Sequence, residues 1–121
     1  MAAGPGPART GDAMLTGYRL MWMMVLFDLP VLTPAERKAA TGFRQFLLDQ
    51  GFEMAQFSVY MKHCTGKEQT EALTRRIEKH VPVTGKVHIL VFTDKQYENI
   101  VCFDGRIREP SRKNPEQFML F

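Results

Sequence analysis

Asp28 is the residue of this chain best placed to do chemistry. It follows directly on eight apolar residues, Leu20 to Phe27, and precedes Leu29-Pro30. A carboxylate in that position stands at the rim of a core, with low dielectric on one side, and has to be solvated, hydrogen-bonded or bound to a cation. Phosphodiester chemistry uses oxygen-ligated Mg²⁺ or Mn²⁺, which carboxylates hold well. One carboxylate is too few for a metal site in a monomer, but a two-fold dimer would bring a second Asp28 to the same axis. The plainer alternative is an aspartate that caps the turn before Pro30, and residue type alone favours it.

The basic residues that come next point weakly the same way. Arg37 and Lys38 fall in the first turns of the next helix and Arg44 two turns on. Helix N-terminal amides add positive potential there, the usual setting for a phosphate. A solvated helix face accounts for the same residues, and by charge count it is the better account. Further along, Arg106, Arg108, Arg112 and Lys113 could track a phosphate backbone or simply solubilise a linker. Other catalytic sets are missing: there is no P-loop, no dinucleotide glycine fingerprint and no GxSxG elbow. His63, His80 and His88 are far apart, and no Cys or His pair lies at zinc spacing. His88 alternates with apolar residues and reads as a core histidine. Cys64 and Cys102 read as small hydrophobes.

Those side chains need elements to position them. Tyr18 to Phe27 has the length of a strand buried on both faces, and Pro30 stops any helix from continuing. Asp28 then lies at the carboxyl end of a central strand. Thr33-Pro34-Ala35-Glu36 is a capping box with proline at the first helical position, and Gln50-Gly51 supplies the stop, so the spacing predicts a helix over 34–50. Phe52 to His63 is extended, as one bent strand or as two short ones around Gln56-Phe57-Ser58. Thr65-Gly66-Lys67-Glu68 reads as a second capping box, opening a helix with Leu73, Ile77 and Val81 on one stripe and Pro82 beyond its end. Lys86 to Thr93 is apolar on both faces and reads as a central strand, with another strand at Asn99 to Phe103. Residues 104–116 are polar and basic, and Gln117 to Phe121 is a short apolar ending.

Composition sets the outer bounds. The 121 residues suffice for one domain with a real core. Apolar content of 45% against 24% charged excludes a disordered or collagenous chain. The eight-residue apolar run is far short of the ~20 residues that span a membrane. The N-terminus has no apolar signal core, and two cysteines do not make a disulfide framework, so the expected setting is cytoplasmic and away from membranes. A net charge of +3 permits a polyanionic partner without demonstrating one. Residues 1–17 hold four glycines and two prolines with few large apolar side chains, which predicts a mobile tail. The expected order is thus a tail over 1–17, an α+β domain over 18–105 with helices on one face of a single sheet, and a C-terminal extension over 106–121.

Three segments also carry a family resemblance. Tyr18-Arg-Leu-Met-Trp-Met-Met-Val-Leu-Phe-Asp28-Leu-Pro30 closely resembles the opening strand of the small CRISPR-associated endonucleases called Cas-two. Gln56-Phe-Ser58-Val-Tyr60 and Thr93-Asp-Lys-Gln-Tyr97 resemble two further segments of that family, in the same order. The Arg37-Lys38 and Phe43-Arg44 pieces are most similar to members from single-effector (type II) systems.

The resemblance implies a ferredoxin-like βαββαβ fold and a symmetric homodimer. It implies that a terminal strand of each subunit, here Gln117 to Phe121, adds to the partner's sheet. It makes Asp28 the catalytic and metal-holding residue, two copies facing each other across the dimer axis around Mg²⁺, with Mn²⁺ as a substitute. Arg37, Lys38 and Arg44 would then contact nucleic acid, with Ser58 and Tyr60 in support. The implied partners are the integrase Cas-one, whose two dimers the protein would bridge during spacer acquisition, and double-stranded DNA protospacers, with RNA as another substrate. Two departures weigh against nuclease activity and leave bridging untouched. Met54 stands where some members carry an arginine, and Ala40 and Gly42 stand nearest to an arginine pair of others. A purely architectural subunit and a toxin-like ribonuclease on the same fold are the alternatives.

Overall fold

A computed structural model describes residues 20–111. The tail expected over 1–17, Tyr18 and Arg19, the basic pair Arg112 and Lys113, and the apolar ending at 117–121 lie outside the described residues.

Strand β1, Met21–Asp28, runs through the middle of the molecule. Its alternation sends Met23, Val25 and Phe27 to one face, where they join the core, and Trp22, Met24, Leu26 and Asp28 to the other. Helix α1, Pro34–Asp49, starts as its sequence requires: the Glu36 amide donates to Thr33 Oγ1 at 3.1 Å and the Thr33 amide to Glu36 Oε1 at 2.9 Å. It stops at Gly51, whose φ of 94° is the left-handed conformation that favours glycine. The Phe52 amide then reaches back to the Leu47 carbonyl at 3.0 Å, and both side chains are buried.

The extended stretch is two strands, β2 Glu53–Gln56 and β3 Val59–Cys64. Ser58 turns the chain between them at φ 66°. Helix α2 is Lys67–Glu78, with Leu73 and Ile77 buried. The capping box read at Thr65 does not form. Gly66 is the N-cap, without a side-chain hydrogen bond, and the Thr65 amide instead donates to Gln69 Oε1 at 2.8 Å. Val81 lies beyond the helix and is exposed. Strand β4, Lys86–Thr93, leads into a short helix α3, Asp94–Glu98.

The strands form one antiparallel sheet in the order β2–β3–β1–β4. The succession β1-α1-β2-β3-α2-β4 with that order is the ferredoxin-like arrangement. Helices α1 and α2 pack on the face of Met23, Val25, Phe27 and Tyr60, and Phe43, Leu47, Leu73 and Ile77 complete the core.

Two expectations fail here. Strand β4 is not central: its only neighbour among the described residues is β1. Apolar alternation reports which faces are greasy, whereas pairing decides which strands are edges, and Leu90 and Val91 are 46% and 43% exposed. Nor does 99–103 form a strand. Thr93 and Gln96 make a capping box that draws 94–98 into helix, and Asn99 is its C-cap. Beyond that helix lies a two-residue pair, β5 Phe103–Asp104 with β6 Ile107–Arg108, turned by Gly105.

Candidate functional site

Strand β1 delivers Asp28 to the face of the sheet that α1 and α2 leave open. Its carboxylate is exposed, and among the described residues it enters no hydrogen bond or ion pair. Three neighbours fix its surroundings. Lys86, at the start of β4, is its partner directly across the strand pair. The β2–β3 turn lies against the strand end, since the Phe27 amide donates to the Ser58 carbonyl at 3.1 Å. Gly85 packs so closely that a Cβ there would sit 2.8 Å from the Asp28 carbonyl oxygen. Together they leave a concavity of about 300 Å³, lined by Asp28, Phe57, Ser58, Lys86 and His88 over an apolar floor of Leu26, Phe27 and Val59.

Of the residues singled out from sequence, the fold brings Asp28 and Ser58 together in this concavity. Arg44 stands behind it. The Arg44 guanidinium lies 4.9 Å from the Phe57 ring centre and 5.8 Å from that of Phe27, and its buried Nε has no hydrogen-bond partner among the described residues. Arg37 is tied to the loop that leaves β1, donating from Nη1 to the carbonyls of Val31 at 3.1 Å and Leu32 at 3.0 Å. Lys38 is exposed on the same helix. Tyr60 faces the helices: it is 3% exposed and stacks on Phe27 with ring centres 5.6 Å apart, so it does not line the concavity.

Sequence reasoning missed Lys86, Phe57 and the true placement of His88. His88 is not a core histidine. It pairs with Leu26 on the face opposite α1 and α2 and is exposed, because α3 reaches only the Trp22 end of that face. Each depends on register: nothing local in the chain shows that Lys86 will lie across from Asp28. Phe57 did carry a signal, an aromatic residue in a turn position where small polar residues are usual.

A second cluster sits at the other end of β1. The Trp22 indole donates to Asp94 Oδ1 at 2.9 Å, stacks on Tyr97 with centres 3.8 Å apart, and tilts against His63 at 4.9 Å. It explains the Thr93–Tyr97 segment as a closure of the fold. Burial pushes the Cys64 thiol up, against a smaller lowering by the nearby Lys62, so it is a poor nucleophile near neutral pH. Among the described residues, no three His, Cys, Asp or Glu side chains gather as a metal cluster, and no helix is long and apolar enough to cross a membrane.

The donor chemistry at Asp28 suits one class of ion. Mg²⁺ keeps several waters and takes one or two carboxylates together with phosphate oxygens. An exposed carboxylate that among the described residues has no competing partner fits that habit.

Comparison with known proteins agrees with the fold. The family model described as "CRISPR associated protein Cas2" matches residues 21–100. A CRISPR-associated endoribonuclease Cas2 of Paracidovorax avenae is 63% identical over 108 residues, covering 89% of this chain and all of the relative. Proteins of the same name are 43% identical in Parvibaculum lavamentivorans, covering 84% of this chain and all of the relative, and 42% identical in Flavobacterium psychrophilum, covering 88% and 93%. With the βαββαβ fold, the aspartate at the end of the first strand and these matches in hand, the chain belongs to the CRISPR-associated Cas2 family.

Proposed function

We propose that the chain works as a homodimer in CRISPR adaptation and that its paired Asp28 carboxylates form a Mg²⁺-dependent centre cleaving phosphodiester bonds, with RNA as the first substrate to test. The observation that carries this reading is the exposed Asp28 carboxylate, unpartnered among the described residues and opposite Lys86 in the strand pair. The names of the relatives, endoribonucleases, support the substrate class.

Dimerisation draws support from the same face. It carries Met24, Leu26 and Leu90 on the side away from α1 and α2; Leu90 is 46% exposed, and Phe103, which lines a groove with Met24, is 62% exposed. An apolar face of this kind is stabilised by burial against a second copy, and two-fold symmetry returns every residue of the face to its own counterpart. A dimer axis near the end of β1 would turn two half-sites into one.

In that arrangement Asp28 supplies hard oxygen ligands, and Lys86 supplies positive charge for a phosphate lying along the concavity. The apolar floor of Leu26, Phe27 and Val59 lowers the local dielectric and strengthens both effects. A bound Mg²⁺, or Mn²⁺ in its place, supplies a water of lowered pKa and neutralises charge on the phosphoryl oxygens. Lys38 and the basic segment around Arg106 and Arg108 would follow the backbone of longer nucleic acids, including double-stranded DNA protospacers held with the integrase Cas-one.

Two observations favour a second reading, an architectural subunit that spaces the integrase dimers without cutting. Arg37 spends hydrogen bonds on two loop carbonyls, and Met54, where the resemblance gives some members an arginine, is an exposed thioether outside the concavity. Asp28→Ala separates the two. The first reading expects loss of Mg²⁺-dependent cleavage of single-stranded RNA with an unchanged sedimentation coefficient. Equal cleavage by the variant overturns it. Spacer acquisition that survives the substitution, alongside lost cleavage, would confine the role in adaptation to architecture.

A further inference from the structure

Phe57 is hard to explain as a packing residue. It lies in the two-residue turn between β2 and β3 and is 77% exposed. The next residue, Ser58, sits at φ 66°, a conformation uncommon for anything but glycine, asparagine or aspartate. A turn optimised for folding alone would place Asn-Gly or a similar pair here. This one spends an aromatic side chain on solvent and holds it beside a functional concavity.

The ring is also held in place. The Arg44 guanidinium covers it at 4.9 Å and also lies 5.8 Å from the Phe27 ring centre. Phe27 is buried, stacked on Tyr60 and edge-on to Phe43 at 5.3 Å. A continuous column therefore runs from the core through Tyr60, Phe27 and Arg44 to Phe57. Cation–π contact fixes the ring's tilt without hydrogen bonds, consistent with the unpartnered Arg44 Nε. With Arg44 over one face of the ring and most of its area in solvent, the other face is available, and the ring lines the same concavity as Asp28, Lys86 and His88.

We propose that Phe57 is a stacking platform for one unpaired base, held by Arg44, and that it makes the site selective for single-stranded over double-stranded nucleic acid. This rests on the phosphodiester reading of the Asp28 concavity and names its substrate class. A flat ring with a free π-face accepts any base, so it adds affinity without sequence preference. Bases within a duplex already stack on their neighbours and offer no free face, so the platform contributes only where a strand is open. Stacking beside Lys86 sets the adjoining phosphate against the cation and the carboxylate. Arg44 acts through the ring and is a positioning residue.

Binding in EDTA keeps the test separate from cleavage. The probes are a single-stranded RNA oligonucleotide with one 2-aminopurine, the same strand with abasic positions, and the annealed duplex. The unsubstituted protein is expected to bind the intact strand and quench the 2-aminopurine. Phe57→Leu should weaken single-strand binding by about 10-fold, within the range of one stacked base, abolish the quenching and leave duplex affinity unchanged. Phe57→Tyr should restore both signals. Arg44→Met should lower quenching more than affinity. The proposal is overturned if Phe57→Leu binds and quenches as the parent does. It is equally overturned if the abasic strand binds as tightly as the intact one, or if Phe57→Leu shifts the protein from dimer to monomer in sedimentation, which would make the ring an interface residue. A result in which Asp28→Ala still cleaves while Phe57→Leu loses quenching removes the catalytic reading and leaves the platform standing. The reverse pattern removes the platform alone.

Discussion

The Trp22 indole donates a hydrogen bond to the Asp94 carboxylate at 2.9 Å, joining the first strand to a residue 72 positions later. Both side chains are buried, and the Asp94 amide also donates to the Leu20 carbonyl at 3.0 Å. Asp94→Ala leaves the indole N–H buried without its acceptor, at a cost of about 1–3 kcal/mol. Trp22 is the only tryptophan, so its fluorescence reports the change directly. The urea midpoint followed at that wavelength should fall, with a smaller loss for Asp94→Asn. An unchanged midpoint would show that the stack on Tyr97 alone closes this end of the sheet.

Gly85 links folding to the site. Its φ is 94°, and a Cβ would meet the Asp28 carbonyl and the Leu29 side chain, each at 2.8 Å. Gly85→Ala therefore combines backbone strain with a displaced strand end and should destabilise by about 1–3 kcal/mol. Metal-dependent cleavage should fall further than the remaining folded fraction explains. Full specific activity per folded molecule would mean that the Asp28 carboxylate tolerates movement of its own backbone.

Folding raises the pKa of the Cys64 thiol, through burial, so the native state favours the neutral form. The sign of the linkage is fixed: the contribution is complete below the ordinary thiol range and is lost as pH rises through and above it. Stability should decline on the alkaline side, and Cys64→Ala should flatten that decline. Labelling with a thiol reagent at mildly alkaline pH should leave Cys64 unmodified until denaturant is added. Rapid labelling of the native protein at Cys64 would contradict the burial account.

Arg37 and Lys38 are adjacent in sequence and differ in what holds them. Arg37 is committed to the carbonyls of Val31 and Leu32, whereas Lys38 is exposed. Lys38→Ala should lower nucleic-acid affinity evenly across sequences and reduce the salt slope by about one. Arg37→Ala should leave that slope nearly intact and loosen the loop after β1, seen as faster amide exchange at residues 31–32. Equal slope changes for both variants would place Arg37 on the phosphates as well.

Local signals were legible in the sequence wherever a few adjacent residues decide the structure. The Thr33–Glu36 box and Gly51 bound the first helix, Pro30 closes the first strand, and Asp28 stands at its end as expected. Features that depend on strand pairing were not legible. The apolar pattern of 86–93 cannot say that this strand lies at an edge, that Lys86 meets Asp28, or that His88 emerges on the uncovered face. The Thr93–Gln96 box was readable in principle. It was obscured by Ile100, Val101, Cys102 and Phe103, whose apolar run imitates a strand. Tyr60, a supporting residue by resemblance, has its ring packed in the core, a placement that the alternation of 57–62 alone did not give.

The central claim is that one divalent ion is shared by two Asp28 carboxylates. Titrating the protein with Mn²⁺ and counting bound ions by electron paramagnetic resonance, with the dimer confirmed by sedimentation, tests it most directly. The account predicts one ion for every two chains in the parent and none at that site in Asp28→Ala, with the dimer intact in both. One ion per chain, or the same binding in the variant, would contradict it.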